Sequence, residues 1–253
     1  MSQVIESCLT DVLSLVTVPS VELVPQDDAI TERFIRFIQW AAHQTKTVYI
    51  LGDLFHVWPG DDGLDAWSQS IAEQFSWLAA QGVKIYYMHG NRDFLLGQRF
   101  ASLASMEMLS DATLITLGDT QVLLSHGDRY CTKDKGHQWL RRLTRNPIFP
   151  RLFLSLPFKI RAKIVYDMRL YSQTNRTKSP LNMDVVPDVL LDHMKKLQVN
   201  VLIHGHTHKP GLTTHMSNGK AYQRYVLSDW DDNPLLMCYD NANGFYFDLI
   251  SER

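Results

Sequence analysis

Cysteine is scarce in this chain: its 253 residues include three, Cys8, Cys131 and Cys238, and no two of them form a Cys-x-x-Cys pair. That excludes a disulfide framework and a thiolate zinc site, and a reducing cytosol is the expected compartment. Long apolar runs are missing as well, since none approaches the roughly 20 residues that a spanning helix needs. The first residues lack a charged stretch leading into an apolar core and a small-residue cleavage site, so the expectation is a protein neither exported nor membrane-spanning. Internal repeats, low-complexity tracts and interdomain linkers are also lacking, and one domain carrying an insertion is expected.

Acidic residues are nearly absent from one segment. Between Arg141 and Lys178 there are ten Lys or Arg against one acid, Asp167, leaving 15 basic and 26 acidic residues elsewhere. Such a block attracts phosphate or an anionic membrane surface. The acidic remainder argues against a general nucleic-acid binder.

What is present is a series of short β-branched and aromatic runs ending in Gly, Asp, Asn or His: KTVYILGD (46–53), KIYYMHGN (84–91), QVLLSHGD (121–128) and NVLIHGHTH (200–208). They read as buried strands. Helical spacing over Ala29 to Ala42, with Asp27 or Asp28 as cap, and over Ala66 to Gln81 gives β-α-β order and hence an α/β fold. Three further strand-like runs, Tyr222 to Leu227, Leu235 to Tyr239 and Gly244 to Leu249, predict a second sheet portion. Residues 131–184 break the scheme with helical character, Pro147, Pro150, Pro157 and the basic block, and read as an inserted helical cap.

The polar clusters all follow a strand's carboxyl end, where open α/β sheets place ligands, so they should converge. Asp53, Asn91, His126, His206 and His208 make a mixed nitrogen and oxygen donor set suited to a divalent metal such as manganese. Two cations roughly 3.5–4 Å apart, bridged by a carboxylate such as Asp53, acidify a shared water and neutralise charge in phosphoryl displacement. The bland readings differ by motif. A lone Gly-Asp after a strand is usually a turn, and Gly90-Asn91 alone would read the same way. Three histidines within HGHTH after a buried strand are a costly choice for packing. His204 and His89 read as structural. Arg92 and Asp93 add a phosphate-binding cation and a carboxylate able to orient it.

The order GD, GNRD, HGD, GHTH resembles the signature of calcineurin-like metallophosphoesterases, sandwiches of two β-sheets flanked by helices. The segments LGDLFHVWPGDD, HGNRDFLLGQRF, HGDRYCTKD and HGHTHKP, with MRLYSQTNRTKSPLNMDV in the insert, are similar to those of the UDP-2,3-diacylglucosamine hydrolase family of lipid A biosynthesis. The resemblance implies hydrolysis of the pyrophosphate of that glycolipid nucleotide, releasing UMP and 2,3-diacylglucosamine 1-phosphate, on the cytoplasmic side of an anionic inner membrane. It implies two manganese ions: Asp53 bridging, Asn91, His126 and His206 on the second, His208 on the first. It assigns Asn91, Arg92 and His126 to catalysis, and Asn91, Arg92, Asp134, Ser172, Asn175, Lys178 and His206 to substrate contact. The apolar run Ile148 to Ile160 would then line an acyl pocket or rest on the membrane, against the plain reading that it packs the cap.

One family motif is missing. The family opens with Asp-x-His after its first strand, and none of the ten histidines here has Asp two residues before it. After LSLVTV, Ser20 takes the place of the Asp and Glu22 that of the His. The first metal would keep Asp53 and His208, with Glu22 as an oxygen donor, and its occupancy should fall. The alternatives are a metal-dependent phosphodiesterase or nuclease of other specificity, and a catalytically impaired nucleotide-sugar-lipid binding protein.

Overall fold

The structure is a computed structural model, and it describes residues 15–18, 20–25, 27–174, 184–230 and 233–250. Cys8, Asn175 and Lys178 lie outside the described residues. In the first half, β1 (Leu15–Val18), α1 (Asp28–Gln44), β2 (Thr47–Ile50), α2 (Ala66–Ala80), β3 (Lys84–Met88), α3 (Gln98–Leu103) and β4 (Glu107–Leu109) follow in order. Helix α1 begins where the Asp27 carboxylate accepts the Ile30 N–H, and it buries Phe34, Phe37, Ile38 and Ala41 at helical spacing. Helix α2 starts on a reciprocal cap between Asp65 and Ser68, and Phe75 on its buried face meets Phe34 edge-on at 5.0 Å.

The second half holds β5 (Thr113–Leu117), β6 (Thr120–Ser125), α4 (Lys135–Thr144), α5 (Ile148–Leu154), α6 (Phe158–Thr174), α7 (Pro187–Lys196), β7 (Val201–His204), β8 (Gly211–Ser217), β9 (Lys220–Val226), β10 (Leu235–Asp240) and β11 (Gly244–Leu249). The strands form a six-stranded sheet, β11-β10-β1-β2-β3-β4, and a five-stranded sheet, β5-β6-β7-β9-β8. Strands β1 to β4 are mutually parallel, and so are β6, β7 and β9. Parallel neighbours send their carboxyl ends, and the polar clusters that follow them, to the same edge.

Three apolar layers hold the sandwich. Helices α1 and α2 cover one face of the first sheet through Val16, Val48, Ile85 and Leu236. Leu51, Met88 and Met237 of the first sheet meet Val122, Leu124, Val201 and Ile203 of the second. Leu190 and Met194 of α7 seal the outer face of the second sheet against Leu123 and Leu202. The Val186 N–H donates to the Tyr130 carbonyl at 2.9 Å, so the two ends of segment 131–184 meet in space.

The basic block is used differently from the charge count alone. Arg141 bonds Asp128 and Asp111 at 3.0 and 2.7 Å, and Arg145 donates to the carbonyls of His89 and Gly90. Buried Arg161 donates to the carbonyls of Pro59 and Leu156 and pairs with Asp62, while Arg169 bonds His56. Four of the ten cations thus tie α4 to α6 onto the sandwich, whereas Arg142, Arg151, Lys159 and Lys163 are exposed.

Candidate metal centre

The loops after β2 and β3 are locked together by one carboxylate. Asp93, fully buried, accepts N–H bonds from Asp53 at 3.2 Å, Leu54 at 2.7 Å and Gly90 at 2.8 Å. Its bonds therefore hold backbone and do not orient Arg92 as the sequence suggested. Arg92 pairs instead with Glu22, and its Nε lies 3.5 Å from Asp53 Oδ2. The Asp53 backbone itself is turned into the left-handed region, φ 55°, as are Glu22 at 54°, His206 at 71° and His208 at 50°. Such conformations are uncommon outside glycine and persist where surrounding contacts over-determine them.

The second sheet supplies the opposing groups. Buried His126, just beyond β6, donates through Nδ1 to the Leu51 carbonyl at 2.7 Å, a bond that crosses between the sheets. Its Nε2 lies 2.9 Å from Asn91 Oδ1 and 3.7 Å from Asp53 Oδ2. His206, beyond β7, lies with its ring 5.0 Å from that of His126, and Asp53, His126 and His206 each offer one ligand atom within 4.8 Å of the others. A carboxylate and two imidazoles this close form a mixed oxygen and nitrogen donor set. Such a set fits a divalent cation.

Electrostatics agree with that chemistry. Burial pushes the Asp53 carboxyl up to about 6, with His126 drawing it down and Asp93 pushing it further up. Burial, then the neighbouring His126, holds His206 well below the usual imidazole range, so its ring stays neutral with a lone pair available. Burial, then the adjacent Arg169 charge, lowers Arg92 to about 9, with Asp93 opposing.

The remaining expected residues scatter. His208 is not in the convergent group: burial and the Arg92 charge depress it, with Asp229 opposing. Glu22 is placed beside Asp53 by its N–H bond to the Asp53 carbonyl at 2.9 Å, yet its carboxylate faces Arg92, His56 at 3.1 Å and Arg169 at 3.4 Å. Asp134 caps α4 by accepting the His137 N–H at 3.0 Å. Ser172 is exposed on α6, and Asn175 and Lys178 cannot be placed within the described residues. His89 bonds the Leu96 carbonyl through Nε2 at 2.7 Å, and fully buried His204 accepts from Arg224 at 2.9 Å, both as structural histidines.

Sequence reasoning missed a supporting tier. Asp128 is buried against Arg141 and His137, and the His137 ring stands 5.2 Å from that of His206. The signal was the last residue of HGD, which reads only as a turn until Arg141 is found beside it. His56 and Arg169 were missed because 113 residues separate them, and no local pattern joins them.

The calcineurin-like phosphoesterase family profile matches residues 24–210. A UDP-2,3-diacylglucosamine hydrolase of Stutzerimonas stutzeri is 40% identical over 86% of this chain and 90% of its own length. One of Klebsiella pneumoniae subsp. pneumoniae is 42% identical over 84% of this chain and 89% of its own. Among solved structures, a dimetal phosphatase from Danio rerio is 14% identical, with a TM-score of 0.49 over 96% of this chain and 100% of that one. Matched across most of its length and at about two residues in five, the chain belongs to the calcineurin-like phosphoesterase family and is a metal-dependent hydrolase.

Proposed function

We propose that this protein hydrolyses the pyrophosphate of UDP-2,3-diacylglucosamine, giving UMP and 2,3-diacylglucosamine 1-phosphate in lipid A biosynthesis. The observation that carries the reading is the convergence of Asp53, Asn91, His126 and His206 in a chain 40–42% identical to hydrolases named for that substrate. Those four residues would hold a divalent cation, manganese in this reading, which lowers the pKa of a bound water and screens phosphoryl charge. The protein's own part is positional. Asp93 and the Leu51 carbonyl fix Asp53 and His126 before substrate arrives, and Arg92 offers a guanidinium to the phosphoryl oxygens as negative charge builds there. Of the substrate contacts assigned by resemblance, Arg92, Asn91 and His206 lie at this centre, with Asp134, Ser172, Asn175 and Lys178 belonging to segment 131–184.

The test is incubation with the lipid substrate and manganese in ¹⁸O-labelled water. UMP should form and carry the label, because attack falls on the α-phosphorus. Lipid bound but never cleaved at saturating manganese would remove the hydrolase reading, and equal cleavage of bis-p-nitrophenyl phosphate would move it to a general phosphodiesterase.

The Asp53 carboxyl also sets a pH dependence. Its folded value near 6 lies above the ordinary 3.8. Burial of the ionised form therefore destabilises the metal-free fold increasingly from about pH 4, and fully above about pH 6. A cation competes with the proton for the same carboxylate, so the rise in melting temperature on adding manganese should be small at pH 5 and full at pH 7.5. Differential scanning fluorimetry across that range checks it, and a pH-independent rise would exclude Asp53 from the ligand set.

We read segment 131–184 as a cap that receives the acyl chains at the anionic inner-membrane surface. Ile148, Leu152 and Ile160 are 61%, 65% and 50% exposed, so packing of the cap does not use them. They lie among the exposed Arg142, Arg151, Lys159 and Lys163. No described helix is long and apolar enough to cross a membrane, which leaves surface docking as the mode. Sedimentation with phosphatidylglycerol vesicles should weaken as salt shortens the Debye length from about 8 Å at 0.15 M to about 3 Å at 1 M. Leu152→Glu with Ile160→Glu should lower it at every salt. Equal sedimentation with neutral vesicles at all salts would count against the proposal.

A further inference from the structure

We infer that this chain binds one divalent cation rather than two, and that a guanidinium pair, Arg92 with Arg169, fixed by Glu22, takes the phosphate-facing place beside Asp53 where a second cation would sit. The inference rests on the reading of Asp53, Asn91, His126 and His206 as the site of the one ion.

Asp53 has a cationic neighbour as well as a hydrogen-bond donor. Oδ1 accepts the Arg92 backbone N–H at 3.0 Å. Oδ2 lies 3.7 Å from His126 Nε2 and 3.5 Å from Arg92 Nε. A carboxylate bridging two metals would need room beside Oδ2 for the second, and the Arg92 guanidinium stands close by. Glu22, the only candidate anion beside this position from the altered Ser20-Val21-Glu22 motif, is engaged by Arg92, by Arg169 Nη2 at 3.4 Å and by His56 Nδ1 at 3.1 Å.

The protons in this cluster are consistent without any added cation. Arg169 Nε donates to His56 Nε2 at 3.0 Å, which leaves the His56 proton on Nδ1, and that proton goes to Glu22. With Glu22 and Asp53 as their carboxylate neighbours, the two guanidinium charges are matched without an added cation. A guanidinium also presents paired N–H donors to phosphoryl oxygens, as a metal presents open coordination positions. Arg169 comes from α6, so the phosphate grip is completed only when that helix is seated on the sandwich.

The test needs no turnover. Full-length protein dialysed to equilibrium against excess manganese should retain one ion per chain by mass spectrometric metal analysis, with the electron paramagnetic resonance signal of an isolated Mn²⁺. Two ions per chain with an exchange-coupled signal would overturn the inference and leave the hydrolase reading standing. No ion above background would overturn the metal site itself, and the inference with it. Arg169→Gln should keep one ion per chain while weakening binding of UMP by about tenfold or more, the loss of a charge-assisted bond. Unchanged UMP affinity in that variant would overturn the part assigned to Arg169.

Discussion

Asn91→Ala should lower turnover of UDP-2,3-diacylglucosamine by about 10²–10³-fold, the loss seen when one preorganised electrostatic partner is removed. The metal-free melting temperature should stay within about 2 °C, because at this size 1 kcal/mol corresponds to roughly 2–4 °C. The side chain is only half-buried, so truncation removes little packing. Manganese affinity should fall together with turnover. A variant with wild-type turnover at limiting manganese would remove Asn91 from the metal centre.

The neighbouring residue should behave in the opposite way. Gly90→Ala is expected to destabilise the fold by at least about 3 kcal/mol, at the upper end of overpacking costs. The added methyl would run into the carboxylate and the backbone nitrogen of Asp53, and neither can yield. Asp53 Oδ1 is held by the Arg92 N–H, and the Asp53 N–H is held by Asp93. Chemical denaturation of the metal-free protein measures this directly. A Gly90→Ala midpoint equal to wild type would mean that the two loops are not in contact as described.

The contrast shows which parts of the molecule were legible in its sequence. Buried strands β2, β3, β6 and β7 announce themselves because each is a short apolar run cut off by a motif residue, and α1 and α2 because their apolar residues recur at helical spacing with Asp caps. Strand β8 carries no such signal: Gly211–Ser217 lies at a sheet edge, largely exposed, with polar residues on both faces. Strand β4 is three residues long, and β5 alternates between half-buried and exposed positions that read equally as loop. At the site, Asp53, Asn91, His126 and His206 were legible because motif order stands in for spatial convergence. The partners of Glu22 were not, since Arg169 lies 147 residues away and only the folded chain brings them together. The same holds for the basic block, whose charge is visible in sequence while the anchoring of Arg141, Arg145 and Arg161 is not.

The candidate ligands are divided between two ladders that share no strand. Asp53 and Asn91 extend from β2 and β3 of one sheet, His126 and His206 from β6 and β7 of the other. Across the gap run an apolar layer, which has no directional preference, and the bond from His126 to the Leu51 carbonyl. Sliding of one sheet over the other therefore alters the distances among these four residues before it breaks any strand pairing, so an ion held by them would act as a rivet and its affinity would report shear within the sandwich.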